Sequence, residues 1–243
     1  MKITHDMHTH TIWSHGKNTI EEMVQQGRKI GLKAITISDH GRSHPFFGVR
    51  KKNFAKMRAE IDVLNKKYDD IEIYLSVESN IIGANGDIDI GEEERIYCDW
   101  ILAGYHYGYI PATIKDIFYF SIPNYAARVL PFLRKYVVNM NTRSYVKMME
   151  RCEIKLITHP GDKMPIDIDA VAKSAAENGV ILEINPRHDH LSAEEIKIAM
   201  KYEVDFAVNS DAHNIHALGD MRAVPEMLEK ANISLDRIIN VED

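Results

Sequence analysis

The most constraining feature of this chain is an alternation that runs from end to end. Short apolar, β-branched runs alternate with segments whose apolar residues recur at helical spacing. Ile3 to His10 reads as the first strand. Thr19-Ile20-Glu21-Glu22 then forms a capping box, and Ile20, Met23, Val24 and Ile30 share one side of a helix that Gly31 ends. Ala34 to Gly41 is a second strand, followed by a helix with Phe54, Met57, Ile61 and Leu64 facing inward. Strands at Ile71 to Ser79, Asp99 to His106, Ile154 to Gly161, Val180 to Asn185 and Asp205 to Asp211 continue the pattern. Helices are predicted over 141–151, 169–178, 192–202 and 222–231, the third of them opened by a second capping box, Ser192 to Glu195. Such alternation implies parallel strands with right-handed helical crossovers. About seven βα units closing into a distorted, TIM-like (β/α)7 barrel is the economical reading. An open doubly wound sheet is the rival, but no glycine-rich phosphate fingerprint follows the first strand.

The exception is 107–138, where Pro111, Pro123 and Pro131 interrupt an aromatic-rich stretch. It reads as an irregular insertion within one domain spanning 1–243. A lid over a site, a packed flap and an oligomer contact are all open for it.

The ends of the strands carry the chemistry. The first strand holds Asp6-Met7-His8-Thr9-His10, and His15 follows in the next loop. On an ideal strand His8 and His10 point the same way, with Asp6 below them. Two imidazoles aimed at one spot suit a divalent metal. The later strands end in Asp39-His40, Glu78, His106, His159 and Asp211-Ala212-His213. In an α/β barrel the C-terminal ends of the strands form the functional face. A lone His or Glu at a strand end is usually a cap or a surface residue. Nine metal-type ligands at one topological level are a different matter: His8, His10, His15, His40, Glu78, His106, His159, Asp211 and His213. One tetrahedral zinc needs only three or four. The set is enough for two or three divalent ions, zinc, manganese or iron, with Glu78 able to bridge two. Clustered metals suit hydrolysis of phosphate esters.

Composition narrows the partners. The chain has 243 residues and a net charge of −6, which argues against a stable nucleic-acid complex. Its only cysteines, Cys98 and Cys152, form no C-x-x-C pair and suggest a reducing compartment. With no signal peptide and no membrane span visible, a cytoplasmic protein acting on a small phosphorylated substrate is expected, without a membrane partner. A homo-oligomer is left open.

These motifs together resemble those of the PHP (polymerase and histidinol phosphatase) family. They comprise the H-x-H at His8 and His10, His15, Ser38-Asp39-His40-Gly41, Val77-Glu78-Ser79-Asn80, Gly104-Tyr105-His106, Thr158-His159-Pro160-Gly161 and Asn209-Ser210-Asp211-Ala212-His213. The likeness runs to the Arg237-Ile238-Ile239-Asn240-Val241 tail, and is greatest to the small stand-alone bacterial phosphatases with three metals. It implies a first metal on His8, His10, Glu78 and Asp211. A second would sit on His15, His40 and His213, and a third on Glu78, His106 and His159. It also implies a metal-bridging hydroxide as nucleophile, with Asp211 positioning it and taking its proton. Asp39, facing away from His40 on an ideal strand, is expected to orient a histidine or to cap a turn. Arg42 and Arg187 are the candidate phosphate binders.

Weaker candidates remain. His188 and His190 form a second H-x-H that could contact substrate without being primary ligands. His5 is expected in the wall, His44 and His216 in loops, and Trp13 either walls the pocket or packs. The expected activity is phosphomonoester hydrolysis, with histidinol phosphate a natural candidate. Hydrolysis of phosphodiesters or nucleotide ends, and a non-catalytic metal-binding regulatory role, are the alternatives.

Overall fold

A computed structural model describes residues 1–188 and 190–242. A two-residue strand, β1 (Lys2–Ile3), pairs antiparallel with β10 (Val241–Glu242) and ties the two ends of the chain together. Strands β2 (His5–Thr9), β3 (Ala34–Ile37) and β4 (Glu72–Leu75) form a parallel sheet in that order. Strands β5 (Glu78–Asn80), β6 (Leu102–Gly104), β7 (Leu156–Ile157), β8 (Ile181–Ile184) and β9 (Phe206–Val208) form a second, also parallel and in chain order. The two sheets touch at parallel bridges between His40 and Glu78 and between Thr9 and Ala212. The architecture is thus α/β with two bridged parallel sheets, where the sequence suggests one continuous barrel.

The expected third strand, Ile71 to Ser79, is the reason for two sheets. It breaks after β4 at Ser76, which bonds both neighbouring runs. Its N–H donates to the Ile37 carbonyl at 2.7 Å and its hydroxyl to the Trp100 carbonyl at 2.9 Å. The chain continues as β5 beside β6, with the Leu102 N–H donating to the Val77 carbonyl at 3.0 Å, while the Glu78 N–H still donates to the Ser38 carbonyl at 3.1 Å.

The helices follow their sequence signals. Thr19 and Glu22 close the capping box of α1 (Ile20–Ile30), and Gly31 ends it in the left-handed region at φ 81°. Helix α2 (Lys51–Lys67) buries the four residues its periodicity singles out. Short α3 (Glu92–Arg95) follows. Helix α7 (Ile168–Asn178) stops at Gly179, α8 (Ala193–Ala199) starts from the Ser192 box, and α9 (Val224–Ala231) lies near the C-terminus.

The 107–138 segment is mostly helical rather than irregular. It holds α4 (Ile114–Asp116), a π-helical turn over Ile117–Ser121, α5 (Ile122–Ala126), a 3-10 turn at Pro131–Leu133, and then α6 (Arg134–Arg151). Its prolines do not break helices. Pro131 opens its 3-10 turn, where the missing N–H has no partner to lose, and Pro123 follows directly on the π-helical turn.

Strand alternation divides the core. Ala103, Ile157 and Leu182 pack against the helices. Leu102, Leu156 and Ile181 project from the other face and meet Met7 and Ala207 in a second, smaller cluster. The site lies beyond that second cluster, toward the C-terminal ends of the strands.

Candidate metal centre

Strand β2 delivers His8 and His10 to one point, with their Nε2 atoms 3.1 Å apart. The carboxylates of Glu78 and Asp211 close around them. Glu78 Oε2 lies 3.4 Å from His8 Nε2 and 3.6 Å from His10 Nε2; Asp211 Oδ1 lies 3.6 and 3.1 Å from the same atoms. Asp6 does not lie below this pair as ideal alternation suggests. The β2–β3 register shifts between Asp6 and Thr9. The Asp6 carboxylate instead accepts from the backbone N–H groups of Ser210 (3.2 Å) and Gly219 (3.2 Å) and from the Ser210 hydroxyl (2.5 Å).

Glu78 faces two ways. Its Oε2 side also meets His40 Nδ1 at 2.9 Å. Its Oε1 meets His159 Nε2 at 2.9 Å and His106 Nε2 at 3.5 Å. His15 and His213 complete the cluster, with ring centroids 4.2 Å apart; His15 lies 4.7 Å from the His40 ring. All nine sequence-predicted ligands are therefore gathered in one place. Their tightest groups are His8, His10 and Asp211; His10, His40 and His213; and His40, Glu78 and His106.

The electrostatics suit cation binding. Burial opposes ionisation of Glu78, but the surrounding histidines, His106 and His8 foremost, hold it well below the usual carboxylate range. Asp211 is kept ionised in the same way by His8, His10 and His188. Burial, reinforced by neighbouring His40, keeps His10 neutral and lowers His15 to about 4. Two buried atoms, His10 Nδ1 and His159 Nδ1, have no hydrogen-bond partner among the described residues, and Glu78 Oε2 and Asp211 Oδ1 meet only imidazole nitrogens. Each such atom costs about 1–3 kcal/mol if nothing meets it. His8 is the exception: burial opposes its charge, but Glu183, Glu78 and Asp211 push it well above its ordinary value, a proton that a bound cation would replace. Ionised carboxylates and imidazoles converging on one point are what a divalent cation needs, so the residues present fit the metals the sequence implies.

Three residues of this region adopt left-handed backbone conformations without being glycine: His159 (φ 28°), Lys163 (φ 58°) and Asp211 (φ 49°). Such strain persists only where the surroundings enforce it. At Asp211 the carbonyl accepts from Arg187 Nη1 at 2.6 Å and faces His213 Nδ1 at 2.9 Å.

An open cavity of about 420 Å3 leads to the cluster, lined by His15, His40, His106, Asp211 and His213 on the metal side. Phe47, Tyr107, Lys163, Arg187 and His188 line the remainder, with His44. Arg187 is thus at the cavity, as expected. Arg42 is not among the lining residues. Its guanidinium turns to Glu94 at 3.0 Å, at the start of α3, and is half exposed.

Asp39 faces away from His40, and its role is structural. It accepts from the Thr11 N–H at 2.8 Å, the Thr11 hydroxyl at 2.5 Å and the Ser14 hydroxyl at 2.5 Å. It clamps the loop that carries His15 and is not among the residues that line the cavity. His188 bridges Asp211 Oδ2 and Asp162 Oδ2, at 3.1 Å to each. His190 bonds Glu195 at 2.9 Å. His5 packs in the wall between Tyr74 and Trp100, its Nε2 2.8 Å from the Thr36 hydroxyl.

Sequence reasoning missed Glu183. It is fully buried on β8 and takes His8 Nδ1 at 2.8 Å, the His159 N–H at 2.8 Å, and the amides of Asn185 (3.1 Å) and Asn209 (3.0 Å). A carboxylate behind a ligating imidazole fixes the ring and its tautomer. The signal was a glutamate inside the apolar run Val180-Ile181-Leu182-Glu183-Ile184. Lys163 was missed as well, because it follows a turn and has no pattern of its own.

Comparison with known proteins agrees with this geometry. The model of the PHP domain matches residues 6–187. A Shewanella halifaxensis protein named "Probable phosphatase" is 30% identical over 99% of this chain and 89% of its own length. A "Probable phosphatase" of Clostridium acetobutylicum is 28% identical, over 100% of this chain and 92% of its own. The fold is similar to the crystal structure of histidinol phosphate phosphatase from Lactococcus lactis, complexed with zinc, L-histidinol and phosphate. The TM-score is 0.60 at 14% identity, covering 96% of this chain and 95% of that one. The match spans three quarters of the sequence and takes in the strand ends from His8 to His159, and the chain belongs to the PHP domain family.

Proposed function

We propose that this chain is a metal-dependent phosphomonoesterase. The observation that carries the reading is Glu78: one buried carboxylate with His8, His10 and His40 around one oxygen and His106 and His159 around the other. That arrangement suits a carboxylate shared by two ions. His8, His10, Glu78 and Asp211 would hold one ion, Glu78, His106 and His159 another, and His15, His40 and His213 a third. In this reading the bridges at His40–Glu78 and Thr9–Ala212 mark the seams of a closed seven-stranded barrel. Bound divalent ions would supply Lewis acidity toward phosphoryl oxygens and an activated water near neutral pH.

The chain's own residues do the rest. Asp211 takes the proton of the attacking water on its carboxylate, which His188 holds through Oδ2. Arg187 spends one nitrogen on the Asp211 carbonyl and keeps the others for a phosphate oxygen. Lys163 adds a second positive charge at the cavity wall. The cavity volume suits a small ester. Histidinol phosphate is the first substrate to try, given the ligands of the Lactococcus lactis protein.

The test is phosphate release from a panel of phosphomonoesters with manganese, zinc, iron and cobalt in turn. Turnover of at least one ester is expected, with loss of about three orders of magnitude or more in Asp211→Ala and His40→Ala. Metal-loaded protein inert toward the whole panel, or full activity in either variant, refutes the reading.

A further inference from the structure

Helical residues 114–126 bury few apolar groups. Their inward side carries Phe120, which joins the main core, and Asp116, Ser121 and Asn124, each buried and each hydrogen-bonded: to Ala84, Tyr109 and Asn141, respectively. Their outward side is apolar. Ile114 is 76% exposed and Phe118 60%; Val129 and Phe132, just beyond, are 76% and 77% exposed. Ile114, Phe118, Ile122, Tyr125 and Val129 recur at spacings of three or four, so they form one stripe. Monomeric soluble proteins rarely expose contiguous apolar surface of this kind without a use for it.

The charge of the same region is reversed with respect to the molecule. Between residues 100 and 149 the sequence has six Lys or Arg and a single acid, Asp116, while the remainder has 24 and 35. Asp116 is buried, whereas Lys115, Arg128, Arg134 and Lys135 are exposed. The exposed charges of this stretch are therefore all positive.

We propose that this face docks on an anionic phospholipid surface. Amphipathic helices that lie in a membrane interface combine aromatic and aliphatic side chains with Lys and Arg. No helix here is long and apolar enough to cross a membrane, so the contact is peripheral. A second copy meeting this face about a two-fold axis would bring like charges together. The net charge of −6 over the whole chain disfavours nucleic acid as the occupant. The face adjoins the cavity: Arg128 sits over the ring of Tyr107, a lining residue, at 4.9 Å, and the Tyr125 hydroxyl accepts from the Gly108 N–H at 3.0 Å.

Flotation of the full chain with vesicles tests this independently of phosphatase activity. The vesicles are phosphatidylcholine alone, or phosphatidylcholine mixed with phosphatidylglycerol. Binding is expected only to the mixed vesicles and should weaken as salt rises. Phe118→Asp with Phe132→Asp, and separately Arg134→Glu with Lys135→Glu, should each lower it by at least about tenfold. Circular dichroism and molar mass are measured on both variants. Absence of flotation with mixed vesicles overturns the proposal, as does equal binding to neutral ones. So does undiminished binding by the charge-reversed variant, or a wild-type oligomer that the Phe variant dissolves while neither binds vesicles.

Discussion

At the scale of single residues, Glu183 shows how a site depends on groups that never reach the ligand. Its four partners include the His8 ring and the His159 backbone, so it sets two expected ligands at once. Glu183→Gln keeps the shape but presents an amide N–H to donors on one side. Metal affinity should fall by about 10–100-fold while activity recovers at saturating metal; titrating activity against free metal checks this. His5 offers a pH prediction. Burial lowers its pKa to about 4, whereas an unfolded histidine titrates near 6.5. The unfolded chain then binds the proton more readily. The contribution of neutral His5 to stability is complete above about pH 6.5 and is lost as pH falls toward 4. At about 1.36 kcal/mol per unit the span is about 3 kcal/mol. Urea unfolding between pH 4 and 7.5 should show a correspondingly shallower decline for His5→Phe than for the unaltered chain. Legibility at this scale follows from chemistry. His8, His10 and Asp211 are visible in sequence because ligands must be particular residue types at strand ends. Arg42 is not, because whether a loop cation meets solvent, substrate or Glu94 depends on a neighbour 52 positions away.

At the scale of elements, strand order and helix boundaries were readable where local chemistry decides them. The Thr19 and Ser192 boxes and the Gly31 and Gly179 stops all lie next to the element they bound. The break between β4 and β5 was not readable. It falls at Ser76, which bonds Trp100, and Val77 continues the same apolar pattern across it. The helices within 107–138 were hidden for another reason: beside Phe120 their buried side carries Asp116, Ser121 and Asn124, and most of their apolar residues point outward. What holds them is visible in one pair. The amides of Asn124 and Asn141 exchange hydrogen bonds of 3.0 and 2.9 Å, joining α5 to α6, and both side chains are buried. Asn141→Leu strands the Asn124 amide and should cost about 1–3 kcal/mol. Replacing both by Leu should cost less than the sum of the two single changes. A double-mutant cycle by urea denaturation measures the difference, and strict additivity would show that the pair is not coupled.

At the scale of the whole molecule, the cluster of histidines and carboxylates lies where the two parallel sheets meet. Glu78 and His40 form one bridge between the sheets, and Thr9, beside His8 and His10, forms the other with Ala212, beside Asp211. Expected ligands therefore sit on both sides of each seam, and a bound ion would join the sheets as well as supply chemistry. An ion that binds the folded chain and not the unfolded one stabilises by about 2.7 kcal/mol at a hundred times its Kd. For a chain of this length each kcal/mol corresponds to about 2–4 °C in melting temperature. Chelation of metal-loaded protein should thus lower the melting temperature by about 5–10 °C, and re-addition of manganese, zinc or iron should restore it. Asp211→Ala removes a carboxylate from one seam, so chelation should shift its melting temperature by less. Calorimetry of both proteins with and without chelator, with metal content measured in each, decides the matter. An unchanged melting temperature in protein shown to have lost its metal would mean that the two sheets hold together without the ions, and that the nine side chains serve chemistry alone.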